Sequence, residues 1–185
     1  MKEISLHLLD LIENAVAAGA RTVVIRIEED READRLRIAV RDDGRGMDTE
    51  LARRATDPFA TTRTTRKVGL GLPLLSAAAE QTGGSFSLWT RPGRGTRIAA
   101  EFGLSHIDRA PLGKLAETMA TAAVLHPDTT FRFSHRVGRR HYRLMLQARS
   151  EQAPTEGKRT ATDAELAREV VRRVVAGRRR IGSTA

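Results

Sequence analysis

Asp10 and Asn14 stand four residues apart in the segment Asp10-Leu11-Ile12-Glu13-Asn14, and positions i and i+4 share one helical face. With Glu13 beside them they form a polar stripe that presents oxygen acceptors to a ligand. A second group is the turn Asp42-Asp43-Gly44-Arg45-Gly46. An ionised carboxylate accepts hydrogen bonds and donates none, so Asp42 selects a donor, while Gly44 and Gly46 let the backbone turn sharply and approach a ligand without a Cβ in the way. Gly69-Leu70-Gly71 then opens an apolar stretch. Amides at a helix start meet anionic oxygens at the positive end of the helix dipole. Between these groups, Thr61-Thr62-Arg63-Thr64-Thr65-Arg66-Lys67 offers hydroxyls and cations to the same anion, and Gly93-Arg94-Gly95-Thr96 makes a last glycine turn.

The elements that must position these residues follow from hydrophobic periodicity. Ile4, Leu8, Leu11, Ile12 and Ala15 fall on one helical arc, so residues 3–18 are expected to be a helix whose polar stripe carries Asp10, Glu13 and Asn14, ended by Gly19. Residues 22–27 and 36–40 read as antiparallel strands joined by the charged stretch 28–35. A short helix is expected over 48–55, a polar loop over 56–68 and an apolar helix over 69–81. Two more strands, 85–90 and 96–102, flank the second glycine turn. After Leu104 the pattern changes to a linker, a helix near 112–125, a hairpin of 131–133 with 142–146, a polar stretch over 150–162 and a basic helical segment over 163–180. The expected organisation is therefore residues 1–104 as the site-bearing domain, 105–149 as a small appendage and 150–185 as a basic tail, partly disordered or helical.

At 185 residues the chain can bury one main core, and its 40% apolar and 30% charged content is that of a globular protein in solution. No apolar run approaches the ~20 residues that span a bilayer, and the amino terminus does not read as a signal peptide, so a cytoplasmic setting is expected. The absence of cysteine excludes a disulfide, a thiolate nucleophile and Cys-ligated zinc; the five histidines have no metal-ligand spacing. A metal is expected only with a substrate. Residues 1–103 hold sixteen basic and fifteen acidic residues, whereas 131–150 hold six basic and none acidic. By this count the net charge of +9 belongs to the C-terminal part. With few aromatic residues to stack bases, nucleic acid is not an expected partner.

The order of Asn14, Asp42-x-Gly44-x-Gly46, Asp57-Pro58-Phe59, Gly69-x-Gly71 and Gly93-x-Gly95-Thr96 resembles the N, G1, F, G2 and final glycine boxes of the GHKL ATPase superfamily over residues 3–103. The resemblance implies a Bergerat fold: an α/β sandwich (α+β) with a mixed, mostly antiparallel sheet covered by helices on one face, here with a small C-terminal helix and hairpin. It implies ATP and Mg²⁺ as cofactors. Asn14 would give its side-chain oxygen to the metal, a hard cation that prefers oxygen ligands. Asp42 would read the adenine amine. Gly44, Gly46, Thr61, Thr62, Gly69, Leu70, Gly71 and Thr96 would line the nucleotide. Asp10, where hydrolysing members carry glutamate, and Glu13 would be the catalytic acids.

The lid segment resembles both nitrogen-type sensor kinases and anti-sigma serine kinases, which act on proteins. The sequence lacks an upstream dimerising hairpin and a phosphoacceptor histidine box, so the resemblance implies a domain that phosphorylates or regulates a separate protein partner, or slowly hydrolyses ATP. The alternative is a non-catalytic module in which ATP gates protein binding.

Overall fold

A computed structural model describes residues 3–57, 71–147 and 162–183. Helix α1 (Ile4–Ala17) buries Ile4, Leu8, Leu11, Ile12 and Ala15, the arc anticipated above. The chain then enters strand β1 (Thr22–Asp30) and returns as β2 (Arg35–Asp42), paired antiparallel with Val23 opposite Asp42 and Asp30 opposite Arg35. Both strands outrun the expected spans. The stretch assigned to a charged turn from residue 28 is strand as far as Asp30, because Glu29 points into the core and pairs with His135 (Oε1 to Nε2, 2.8 Å) while Glu28 and Asp30 alternate outwards. The actual turn is short, with Asp34 at a φ of 52°.

Helix α2 (Thr49–Thr56) is capped by the Asp48 carboxylate, which accepts from Leu51 N. Helix α3 (Gly71–Gln81) leads into the hairpin of β3 (Ser85–Thr90) and β4 (Thr96–Gly103), and β4 pairs antiparallel with β2. Helix α4 is Leu115–Leu125. Strands β5 (Thr130–Val137) and β6 (Arg140–Leu146) form the anticipated hairpin, longer than expected. Helix α5 (Asp163–Ile181) opens with a capping box of Thr162 and Glu165 and closes at Gly182.

The six strands lie in the order β3-β4-β2-β1-β5-β6. All neighbours are antiparallel except β1 and β5, which run parallel in the register Thr22 to Thr130 through Glu29 to Val137. The C-terminal hairpin therefore extends the same sheet, and Phe131, Phe133, Tyr142 and Leu144 share one continuous core with Ile25, Ile38 and Leu75. Alternation along the strands sends these apolar side chains to the face packed by α1, α3, α4 and α5, and leaves the opposite face open.

Helix α5 is fixed to this core. Val170, Val174 and Ile181 are buried, Arg31 donates to Gly182 O at 2.7 Å, and Ser183 Oγ donates to Glu29 Oε1 at 2.6 Å. Gly177 lies directly on the Tyr142 ring, where a Cβ would come within 2.5 Å of Cδ2 and Cε2. Gly177→Ala is accordingly expected to force α5 away from β6 and cost about 1–3 kcal/mol, despite the better helix propensity of alanine. A urea titration would measure it; stability equal to or above the parent would mean that the helix contact yields freely.

Candidate nucleotide-binding site

Asp10 and Asn14 meet on one face of α1, as their spacing suggested. Asn14 Nδ2 donates to Asp10 Oδ2 at 3.3 Å. Only the amide nitrogen can donate to a carboxylate, so this bond also orients Asn14, leaving its Oδ1 as an oxygen donor for something outside the helix. The start of α3 presses against the same carboxylate: a Cβ built on Gly71 would stand 1.7 Å from Asp10 Oδ2, so only glycine permits this approach. Burial raises the pKa of Asp10 above its ordinary value; the Asn14 hydrogen bond opposes the rise and the charge of Glu13 adds to it.

The Asp42 turn closes against the C-terminal end of α1. Arg45 N donates to Ala18 O at 2.9 Å, and a Cβ on Gly44 would meet Ala18 O at the same distance. Asp42 is buried, and its Oδ1 accepts from Gly44 N at 2.8 Å and Thr96 N at 3.2 Å. These two amides thus tie the first glycine turn to the start of β4. Desolvation raises the Asp42 pKa, with both amides opposing it. Among the described residues Oδ2 of Asp42 takes no hydrogen bond, so it can accept one from a ligand. Gly46 has a φ of +66° and its position is packed against Arg91 O, 2.0 Å from where a Cβ would lie.

Asp43, the neighbouring carboxylate, is spent on the fold: its Oδ1 accepts from Arg21 N at 2.8 Å and Thr22 N at 2.9 Å, joining the turn to the start of β1. Glu13 is directed elsewhere than Asp10. Its Oε1 meets His126 Nε2 at 2.8 Å at the end of α4. Thr90 is a residue the sequence did not single out. Its Oγ1 accepts from Met47 N at 2.9 Å and lies 3.1 Å from Thr96 Oγ1, so it ties the segment after Gly46 to β3 and β4. A threonine closing a strand carries no signal of that role. Thr61, Thr62, Gly69 and Leu70, with the rest of the lid segment, lie outside the described residues.

The six-stranded sheet with its helices on one face is an α/β sandwich, and the α1 stripe, the Asp42 turn and the start of α3 at Gly71 meet on its helix side. The chain belongs to the histidine kinase-, DNA gyrase B- and HSP90-like ATPase family, which matches residues 2–106. Among characterised proteins it is 40% identical over 109 residues to sensor protein kinase FleS of Pseudomonas aeruginosa, covering 59% of this chain and 26% of FleS. It is 33% identical over 103 residues to a putative sensor protein of Shewanella frigidimarina, covering 55% of this chain and 16% of that protein. The chain thus spans about a quarter or less of the length of these relatives. Among solved structures, the N-terminal domain of a DNA repair protein superposes with a TM-score of 0.58 at 13% identity, covering 90% of this chain and 56% of that one. That likeness extends the shared fold beyond the segment matched by sequence. As a family member the chain carries an ATP-binding ATPase domain. Among the described residues no helix is long and apolar enough to cross a membrane.

Proposed function

We propose that the chain binds ATP with Mg²⁺ between the α1 stripe and the Asp42 turn, and phosphorylates or regulates a separate protein in the cytoplasm. The observation that carries this reading is the joint availability of two acceptors: Asn14 Oδ1, left free by the bond that its amide nitrogen makes to Asp10, and Asp42 Oδ2, left free by the two amides on Oδ1. The first suits a hard cation and the second an exocyclic amine. The bound nucleotide would supply a transferable phosphoryl group. Thr96, Gly44 and Gly46 shape the base end, the start of α3 at Gly71 faces the phosphate end, and Thr61, Thr62, Gly69 and Leu70 complete the set on the basis of their motif positions. Asp10 is placed beside Asn14 to take a proton from an acceptor hydroxyl, imidazole or water, while Glu13 serves as a second acid if His126 releases it. The relation to a sensor protein kinase supports a protein as the acceptor.

One observation favours a second reading, in which ATP only gates protein binding. Asp10 is held by Asn14 and packed on Gly71, and an aspartate reaches less far than a glutamate. Turnover separates the two. Binding itself is tested by thermal shift with Mg-ATP, Mg-GTP and ATP with EDTA. At ~100 times Kd a ligand adds about 2.7 kcal/mol, which raises the melting temperature of a domain this size by roughly 5–10 °C. The expected result is a shift with Mg-ATP, a smaller one with EDTA and little with GTP; a folded sample indifferent to all three would remove the nucleotide reading.

A further inference from the structure

The open face of the sheet carries a concentration of charge that no residue described so far uses. Strand register orders it into rows that cross all six strands. The first row runs Trp89, Arg97, Arg41, Val24, Arg132, Met145. The second runs Ser87, Ala99, Ala39, Arg26, Ser134, Arg143. These two rows hold five arginines and no acid. The third row, by contrast, alternates in sign through Glu101, Arg37, Glu28 and Arg136, and is internally neutralised: Arg37 pairs with Glu101 and Arg136 with Glu28 at 3.0 Å.

Arg26, Arg41, Arg97, Arg132 and Arg143 are all exposed. Among the described residues none of them reaches a carboxylate at ion-pair distance; Arg97 instead lies over the Trp89 ring at 5.1 Å. Arg41 and Arg97 stand directly opposite each other on β2 and β4, and like charges in that position repel. Small side chains, Ala39 among them, form the floor between the arginines, and a cleft of about 400 Å³ opens there, bounded by Arg26, Arg41, Arg94, Arg97 and Arg132 and lined also by Asp42 and Asp43, whose Oδ1 atoms are each held by two backbone amides.

We infer that this face docks an acidic segment of a partner protein. A guanidinium presents a planar fork of donors that fits a carboxylate with two parallel hydrogen bonds, and five such forks that reach no carboxylate at ion-pair distance among the described residues favour an external anion. At ~4.8 Å between strands the strip is roughly 24 Å long, the reach of about seven extended residues at ~3.3 Å each. It suits a segment rather than a broad domain face. Two features favour acidic protein over nucleic acid. Trp89 is the single aromatic side chain in the rows and Arg97 already covers it, whereas single strands are held by several stacked bases. Val24 and Met145 place apolar contacts between the arginines, which match an amphipathic acidic segment and not a phosphodiester backbone. The inference does not use the nucleotide reading: the arginines stand on the open face, Arg41 pointing away from the helices, although Asp42 and Asp43 line part of the same cleft.

The test uses the full chain and a fluorescein-labelled oligo-glutamate peptide, followed by anisotropy at fixed salt, with an unlabelled oligothymidylate as competitor. Replacing Arg26, Arg41 and Arg132 together by Gln is expected to weaken peptide binding about tenfold. Replacing Arg168, Arg173 and Arg179 on α5 by Gln removes the same charge and is expected to change binding less than about twofold. Melting temperatures of both triple variants should match the parent, because every replaced side chain is exposed; Arg132→Glu alone, a single surface change, repeats the test should the triple variant not fold. Equal losses in the two triple variants, or no peptide binding by the parent, would overturn the inference. Tighter binding of oligothymidylate than of peptide at equal salt would also overturn it and give the face to nucleic acid.

Discussion

Asp42→Asn is expected to weaken ATP binding on the order of a hundredfold while leaving the protein folded. The substitution keeps the shape of the side chain, and its oxygen can still accept from Gly44 N and Thr96 N, so the turn survives. What changes is the other atom, from an acceptor to an amide donor that faces the donor amine of adenine. A hydrogen bond to a charged group contributes about 1.5–3 kcal/mol, and two opposed donors in a buried site lose that contribution and add a desolvation cost. Guanine carries an acceptor at the equivalent ring position, so the ratio of ATP to GTP affinity should collapse as well. Stability supplies the control. Burial raises the Asp42 pKa, which means that the folded state holds the proton more tightly than the unfolded chain does. This group therefore disfavours folding increasingly as pH rises from its unfolded value through its folded one. The Asn variant should accordingly melt no lower than the parent at pH 7. ATP affinity of the parent should decline on the acid side as Asp42 is protonated, at a higher pH than an ordinary aspartate would give, and the variant should lack that limb. Calorimetric titration of both proteins against ATP and GTP across pH decides the matter; unchanged ATP affinity in the variant would take Asp42 out of base recognition.

The fold class was legible in the sequence, and so were the local groupings of the candidate site, but the pairing of distant strands was not. Asp10 with Asn14, and Asp42 with its glycines, are local patterns: helical spacing brings one pair together, and the other is a turn at the end of a strand whose alternation is plain. Their contacts across the chain, such as Gly71 on Asp10, came only with the structure. The parallel pairing of β1 with β5 joins Thr22 to Thr130, and nothing in either strand names the other. Equally hidden was the inward turn of Glu29, because a run of charged residues reads as a surface loop until His135 is brought opposite it.

Counting charge along the chain misplaced the basic surface for a related reason. Residues 1–103 nearly balance, yet they supply Arg26, Arg41 and Arg97 to the open face. Their acidic sequence neighbours are held by the fold. Asp42 is buried on the helix side, Asp43 is bonded to the amides of Arg21 and Thr22, and Glu29 is in the core. Alternation in a strand separates neighbours in sequence to opposite faces, so a net charge summed over a segment says little about the charge of either face. The basicity assigned to the C-terminal part alone is thus a property of both halves, joined by the sheet.

Asp10→Asn is expected to lower phosphoryl transfer about 10²–10⁴-fold with ATP affinity unchanged. The variant retains an oxygen that can accept from Asn14 Nδ2, so the orientation of Asn14 and the metal-binding oxygen it presents are preserved. It cannot take a proton. In the parent, burial raises the Asp10 pKa, which makes the carboxylate a stronger base than one in water. Activity should therefore rise with pH through that raised pKa, and the variant's residual rate should be flat across the same range. The folded state is again the one that holds the proton more tightly, so relief of the buried charge should leave the variant at least as stable as the parent at pH 7. Asp10→Glu is the informative companion. A longer side chain extends the carboxylate towards the acceptor but must find room beside Gly71, where Oδ2 already lies 1.7 Å from a Cβ position. Retained activity in Glu and loss in Asn identify the carboxylate as the base. A fall in ATP affinity in Asn, with turnover at saturation unchanged, would assign Asp10 to holding Asn14 in place; equal turnover and affinity in both variants would leave ATP as a gate for protein binding.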